Sequence, residues 1–281
     1  MTTITDHALD TGGAPFGVRV YTPETPVGPG LVWAHGGAFA AGEIDMPEAD
    51  AVASALAHSG IAVVSVDYSL APVPPEWAAA NGLAPRGGVH FPVAADQLSY
   101  AYDWATGAGI ADGPWAIGGA SAGANLTAGA ILRRMDAGLP LPALAILAYP
   151  TLHAVQPAHS AELSALLAAH PEFDGFPPAA IFGMYANYLG STEPAMPLAA
   201  VPGTATATQL VGFPATLMIT AQFDPLRTSG EAFAATLTDA GTPVELVCEP
   251  GVGHGHLNLP DEPAFRASLD RMTQRLLMLG R

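Results

Sequence analysis

The chain has 281 residues, of which half are hydrophobic and only 12% charged, so it can bury a large core and disorder is expected only in the first dozen residues. A net charge of −16 with no lysine argues against nucleic acid and anionic membrane surfaces as partners. The single cysteine, Cys248, excludes an intrachain disulfide.

Short apolar runs alternate with helix-like stretches, the rhythm of βαβ units around a mostly parallel sheet. Phe16 to Tyr21 alternates as an early strand, and Leu31 to Ala34 reads as a buried strand ending in His35-Gly36-Gly37. Pro47 to His58 reads as a helix stopped by Gly60, and Ile61 to Val66 as a β-branched strand leading to Asp67. Val73 to His90, rich in Pro, Gly and Ala, reads as a long loop. Pro92 to Thr106 is helical, Trp115 to Gly118 is a short strand, and Ala122 to Ala137 is helical again. Ala143 to Tyr149 is a strand stopped by Pro150.

Thr151 to Phe213 then breaks the alternation with two expected helices, near Ser160 to Ala169 and Pro178 to Leu189. An insert at the carboxyl end of a strand commonly forms a lid. Strand, helix and strand return at Ala215 to Thr220, Leu226 to Ala240 and Val244 to Cys248. Cys248 is expected to be buried there. A helix from Glu262 to Leu279, with Gly280 just past it, closes the chain. The N-terminal residues lack the basic-then-apolar pattern of a signal peptide, and no apolar stretch reaches transmembrane length. The expectation is a single cytoplasmic domain over 1–281, with a cap insertion at about 151–213 and a long loop at 73–90.

The chemistry centres on Gly119-Ala120-Ser121-Ala122-Gly123, a G-x-S-x-G sequence between an expected strand and an expected helix. Such a turn holds Ser121 exposed at a helix N-terminus, where backbone N–H groups favour developing negative charge. Serine needs a base oriented by an acid, and in this arrangement the acid precedes the base in the chain. Asp224 follows a late strand and is the candidate acid, although Pro225 and a helix after it also suit a capping role. His254 and His256 compete as base in Gly251-Val252-Gly253-His254-Gly255-His256, and the flanking glycines favour His254. A His-x-His pair is also a metal fragment, but no further ligand cluster accompanies it. His35-Gly36-Gly37-Ala38 and the N–H of Ala122 are candidate oxyanion donors.

These segments resemble the hormone-sensitive-lipase-like, or bacterial type IV, carboxylesterases of the α/β-hydrolase superfamily. The resemblance rests on His35-Gly36-Gly37-Ala38-Phe39, Asp67-Tyr68-Ser69-Leu70-Ala71-Pro72 and Phe91-Pro92-Val93-Ala94-Ala95-Asp96. Gly119 to Leu126, Asp224-Pro225-Leu226-Arg227 and His254-Gly255 complete it, in family order over roughly residues 30 to 260. It implies an α/β-hydrolase fold with an eight-stranded, mostly parallel sheet flanked by helices and a helical cap. It also implies hydrolysis of short- to medium-chain carboxylic esters with no cofactor or metal; the alternatives left open are an amidase, lactonase or acetyl-sugar esterase with the same triad, or a non-catalytic ligand-binding homologue. By position it makes Ser121 the nucleophile, Asp224 the acid and His254 the base. Gly37, Ala38 and Ala122 become the oxyanion donors, with Gly36 a near alternative. The sequence departs from the family pattern at Ala38, Ala120 and Ser69, and Val73 to His90 is longer than usual. A reduced cap is therefore expected, with Val73 to His90 bordering the pocket. The expected partner is a small-molecule ester, and the protein is expected to be a monomer or homodimer.

Overall fold

A computed structural model describes residues 1–281 except Leu83, Pro85, Pro194, Gly280 and Arg281, and except the side chain of Asn81. The expected helix stop at Gly280 lies outside the described residues. The strands are β1 (Thr3–Asp10), β2 (Pro15–Thr22), β3 (Gly30–Ala34), β4 (Ala62–Asp67), β5 (Trp115–Ala120), β6 (Leu144–Ala148), β7 (Thr216–Ala221) and β8 (Val244–Glu249). They form one sheet in the order β1-β2-β4-β3-β5-β6-β7-β8. β1 and β2 pair antiparallel, β2 joins β4 antiparallel, and every later pairing is parallel. The sheet is thus eight-stranded and mostly parallel, as expected.

The helices are α1 (Asp50–His58), α2 (Pro75–Asn81), α3 (Val93–Gly107), α4 (Ala122–Asp136), α5 (Ala161–Ala169), α6 (Pro178–Leu189), α7 (Arg227–Asp239) and α8 (Pro263–Leu277). One apolar core joins α3, α4, α6 and α7 to one face of the sheet. A second core joins α1 and α8 to the other face. β3, β5, β6 and β7 are buried along their whole length because both faces are covered. That is why they read as continuous apolar runs rather than alternating ones. α4 lies deepest, and its Ala- and Gly-rich first turns let its backbone approach the strands closely.

Four local expectations are corrected. The first dozen residues are ordered: β1 pairs with β2 from Thr3 to Asp10. Only Leu9 of β1 is buried, so backbone pairing and the 2.7 Å ion pair of Arg19 with Asp6 hold the strand, not an apolar face. The stretch 73–90 is not all loop, since Pro75, at the first helical position, starts α2. The expected helix from Pro47 begins only at Asp50, after a turn that carries Glu48. Cys248 lies in a strand but is exposed, because β8 is an edge strand of the sheet.

Register sets the site. Ala34 pairs with Gly119, and Ala120 with Ala148. The turns after β3, β5 and β6 therefore emerge side by side at the carboxyl ends of the parallel strands, where open α/β sheets place their ligands.

Candidate active site

β5 ends at Ala120, and Ser121 turns the chain into α4 with φ 52° and ψ −116°. Positive φ is costly for a side-chain-bearing residue, so the surroundings must enforce it. The Ser121 N–H donates to the Ala148 carbonyl at 2.9 Å, and the Ser121 carbonyl accepts from the N–H groups of Ala124 and Asn125. A Cβ on Gly119 would meet the carbonyl of Gly123, and one on Gly123 the carbonyls of Ala34 and His35. The two glycines of the motif are what allow strand and helix to pack this closely.

Asp224 follows β7 and is fully buried. Its Oδ1 accepts the Leu226 N–H at 2.8 Å, and its Oδ2 lies 2.8 Å from His254 Nδ1. The capping and acid readings are both realised, one on each oxygen. His254 stands in the loop between β8 and α8, with its Nε2 2.8 Å from Ser121 Oγ. A carboxylate only accepts, so His254 Nδ1 donates to Asp224 and Nε2 is left to accept from the Ser121 hydroxyl. The structure thus brings Ser121, Asp224 and His254 into one hydrogen-bonded chain. His256 is directed elsewhere, its Nε2 2.8 Å from Ser268 Oγ.

Burial works against a charged His254. Attraction to Asp224, the hydrogen bond with it and attraction to Glu48 outweigh that effect and raise its pKa above the ordinary histidine value. Burial instead lowers His256 to about 4, and likewise His35. The rings of Phe176 and Tyr149 stand edge-on to His254 at 4.7 and 5.1 Å, holding the imidazole between apolar walls.

The turn after β3 has left-handed backbone at Gly37 (φ 117°), Ala38 (φ 54°) and Phe39 (φ 64°). The departure at Ala38 is thus accommodated with strain. The Gly36 N–H donates to Glu48 Oε1 at 2.5 Å. Gly36 is therefore not available as an oxyanion donor. Among the described residues, no acceptor takes the N–H of Gly37, Ala38 or Ala122. His35 stacks on Tyr68 at 4.4 Å, and the Tyr68 hydroxyl donates to the His35 carbonyl at 2.9 Å, which fixes the base of this turn.

A cavity of about 500 Å³ opens beside the turn. Ala38, Trp77 of α2, Phe176, and Ile181 and Met184 of α6 line it. The stretch 73–90 therefore borders the pocket through α2. A hollow of about 270 Å³ shares Phe176 and Ile181 and adds His159 and Pro225. Asn125, one turn after Ser121, ties α4 to the segment after β6 and to α6: its Nδ2 donates to the Thr151 carbonyl and the Tyr185 hydroxyl, both at 2.9 Å. Among the described residues no group of His, Cys, Asp and Glu could hold a metal ion. None of the described helices is long and apolar enough to cross a membrane.

Sequence reasoning missed Glu48, Tyr149 and Asn258, which meet behind the site. An acidic residue twelve positions after Gly36 carries no signal by itself, because its partners lie 101 and 210 residues away.

The chain is similar in sequence and in fold to known proteins. A family profile described as the alpha/beta hydrolase fold matches residues 31–258. Carboxylesterase NlhH of Mycobacterium tuberculosis is 32% identical over 86% of this chain and 71% of its own length. Esterase LipI of the same species is 31% identical over 90% of this chain and 75% of its own. Among solved structures, an esterase of Pyrobaculum calidifontis superposes with a TM-score of 0.79 at 28% identity, covering 98% of this chain and 85% of its own. The thermostable carboxylesterase EstE1, cloned from a metagenomic library, superposes with a TM-score of 0.80 at 28% identity, covering 99% and 90%.

Proposed function

Because the chain belongs to the α/β-hydrolase-fold family, within its hormone-sensitive-lipase-like branch, we propose that it hydrolyses carboxylic esters through an acyl-enzyme on Ser121. The observation that carries this reading is the chain Ser121–His254–Asp224, with both hydrogen bonds at 2.8 Å.

Ser121 Oγ attacks the ester carbonyl carbon while His254 Nε2 takes its proton. Asp224 holds the imidazole in the required tautomer and stabilises its charged form. The N–H groups of Gly37, Ala38 and Ala122 receive the oxyanion, which is where their lack of internal acceptors becomes useful. Collapse breaks the bond to the alcohol oxygen, which leaves with the proton from His254. Water then attacks the acyl-enzyme, again deprotonated by His254, and collapse returns that proton to Ser121 as the carboxylic acid departs. No step needs a metal or an organic cofactor.

The apolar cavity beside Ala38 favours uncharged groups of short to medium length. The test is turnover of p-nitrophenyl acetate and butyrate by the wild-type protein and Ser121→Ala. The variant is expected to lose on the order of 10⁴-fold in kcat. Wild-type turnover by the variant would overturn the reading.

A further inference from the structure

Glu48 is 2% exposed, and its carboxylate is served by three neutral donors. The Gly36 N–H donates to Oε1 at 2.5 Å, Asn258 Nδ2 donates to Oε2 at 3.2 Å, and the Tyr149 hydroxyl donates to Oε2 in a short hydrogen bond. The backbone joins in: the Glu48 N–H donates to Asn258 Oδ1 at 3.2 Å, and Trp33 Nε1 donates to the Glu48 carbonyl at 2.8 Å. A carboxylate buried this deeply is costly and is retained only where its partners are fixed.

The three partners belong to three parts of the site. Gly36 begins the turn that carries Gly37 and Ala38. Tyr149 follows β6, has φ 33°, and sets its ring against His254. Asn258 ends the short 3-10 turn, His256–Asn258, in the loop that bears His254. Gly36 is also packed close to both Glu48 and the nucleophile: a Cβ there would lie 2.6 Å from Glu48 Oε1 and 3.0 Å from Ser121 Cβ.

We infer that Glu48 is a positioning residue for the ester hydrolysis, locking the oxyanion turn and the His254 loop into one arrangement through Gly36, Tyr149 and Asn258. This rests on the proposed function. It adds a residue that touches neither substrate nor reacting atoms, yet sets where the oxyanion donors stand. Glu48 also supplies a second negative charge near His254. The titratable groups about Glu48 are Tyr149, Tyr68 and His254, and those about His254 are Asp224, Glu48 and His256. Burial pushes the Glu48 carboxyl above its ordinary value, and its donors and the nearby His254 offset only part of that rise. With three donors aimed at its two oxygens, the anion is the form the geometry serves, and it favours the imidazolium that forms when Ser121 is deprotonated.

Glu48→Gln keeps the shape, removes the charge and breaks the donor pattern. It is expected to lower kcat for p-nitrophenyl acetate roughly 10- to 100-fold with KM within about twofold, because mispositioned donors act on the transition state. The acid limb of its pH profile is expected to move to lower pH, and the Gly36 amide proton to move upfield in the NMR spectrum. A folded Glu48→Gln with wild-type kcat, KM and acid limb would overturn the inference. If Glu48→Gln does not fold, Tyr149→Phe decides, since it keeps the ring beside His254 and loses one donor. A severalfold fall in kcat at constant KM supports the inference, and wild-type kinetics overturn it. A wild-type protein with no esterase turnover would defeat the proposed function instead. The His254 pKa from NMR titration still judges Glu48 in that event: lower in Glu48→Gln supports the role, unchanged overturns it.

Discussion

Ser121, Ala38 and Tyr149 all hold positive φ without being glycine, and all three border one another's turns at the ends of β3, β5 and β6. Each such residue costs of order 1–3 kcal/mol and persists only where its surroundings over-determine it. Here the surroundings are the tight glycine contacts and the Glu48 network. Gly123→Ala is therefore expected to destabilise the protein by about 1–3 kcal/mol in a urea melt, since its Cβ would press on the Ala34 and His35 carbonyls. Titration belongs to this scale as well. His254 acts as a base only when neutral, and its folded-state pKa is raised above 6.5. Activity is thus lost as pH falls through that raised value. The acid limb of kcat/KM is expected above pH 6.5, with His35 and His256, both near 4, contributing nothing to it. An acid limb well below pH 6.5 would contradict the charge environment described.

Among the elements, β3, β5, β6 and β7 were legible in the sequence because strands covered on both faces must be apolar throughout. The nucleophile turn was legible because strand, serine and helix are contiguous in the chain. β1 was hidden because seven of its eight residues face solvent and carry no alternation. α2 was hidden by its prolines and alanines, which read equally well as loop. Glu48 was hidden because the partners that give it meaning come from distant parts of the chain. Two expectations follow. Removing residues 1–10 takes away the edge strand and buried Leu9 but nothing from the site. Stability is expected to fall by about 1–3 kcal/mol, with kcat of the folded protein unchanged. Trp77 of α2 walls the large cavity, so a p-nitrophenyl series from acetate to hexanoate reports on it. Each buried methylene contributes about 0.8 kcal/mol, or about fourfold in kcat/KM. That rise is expected in the wild-type protein and a flatter series in Trp77→Ala.

For the whole molecule, a charge of −16 with no lysine surrounds an apolar cavity with a negative field. Esters bearing a free carboxylate are expected to react with lower kcat/KM than neutral esters of the same size, and to gain as ionic strength rises. Neutral esters are expected to show little salt dependence. A carboxylate ester that reacts as fast as its neutral counterpart at low salt would mean that local groups, not net charge, govern entry. The sheet and its two cores converge on one hydroxyl, so the most direct measurement is the site of covalent modification. After reaction with a fluorophosphonate, peptide mapping by mass spectrometry is expected to place a single adduct on Ser121 and to find it strongly diminished in His254→Ala. An adduct on another residue, or none in folded wild-type protein that hydrolyses esters, would contradict Ser121 as the nucleophile.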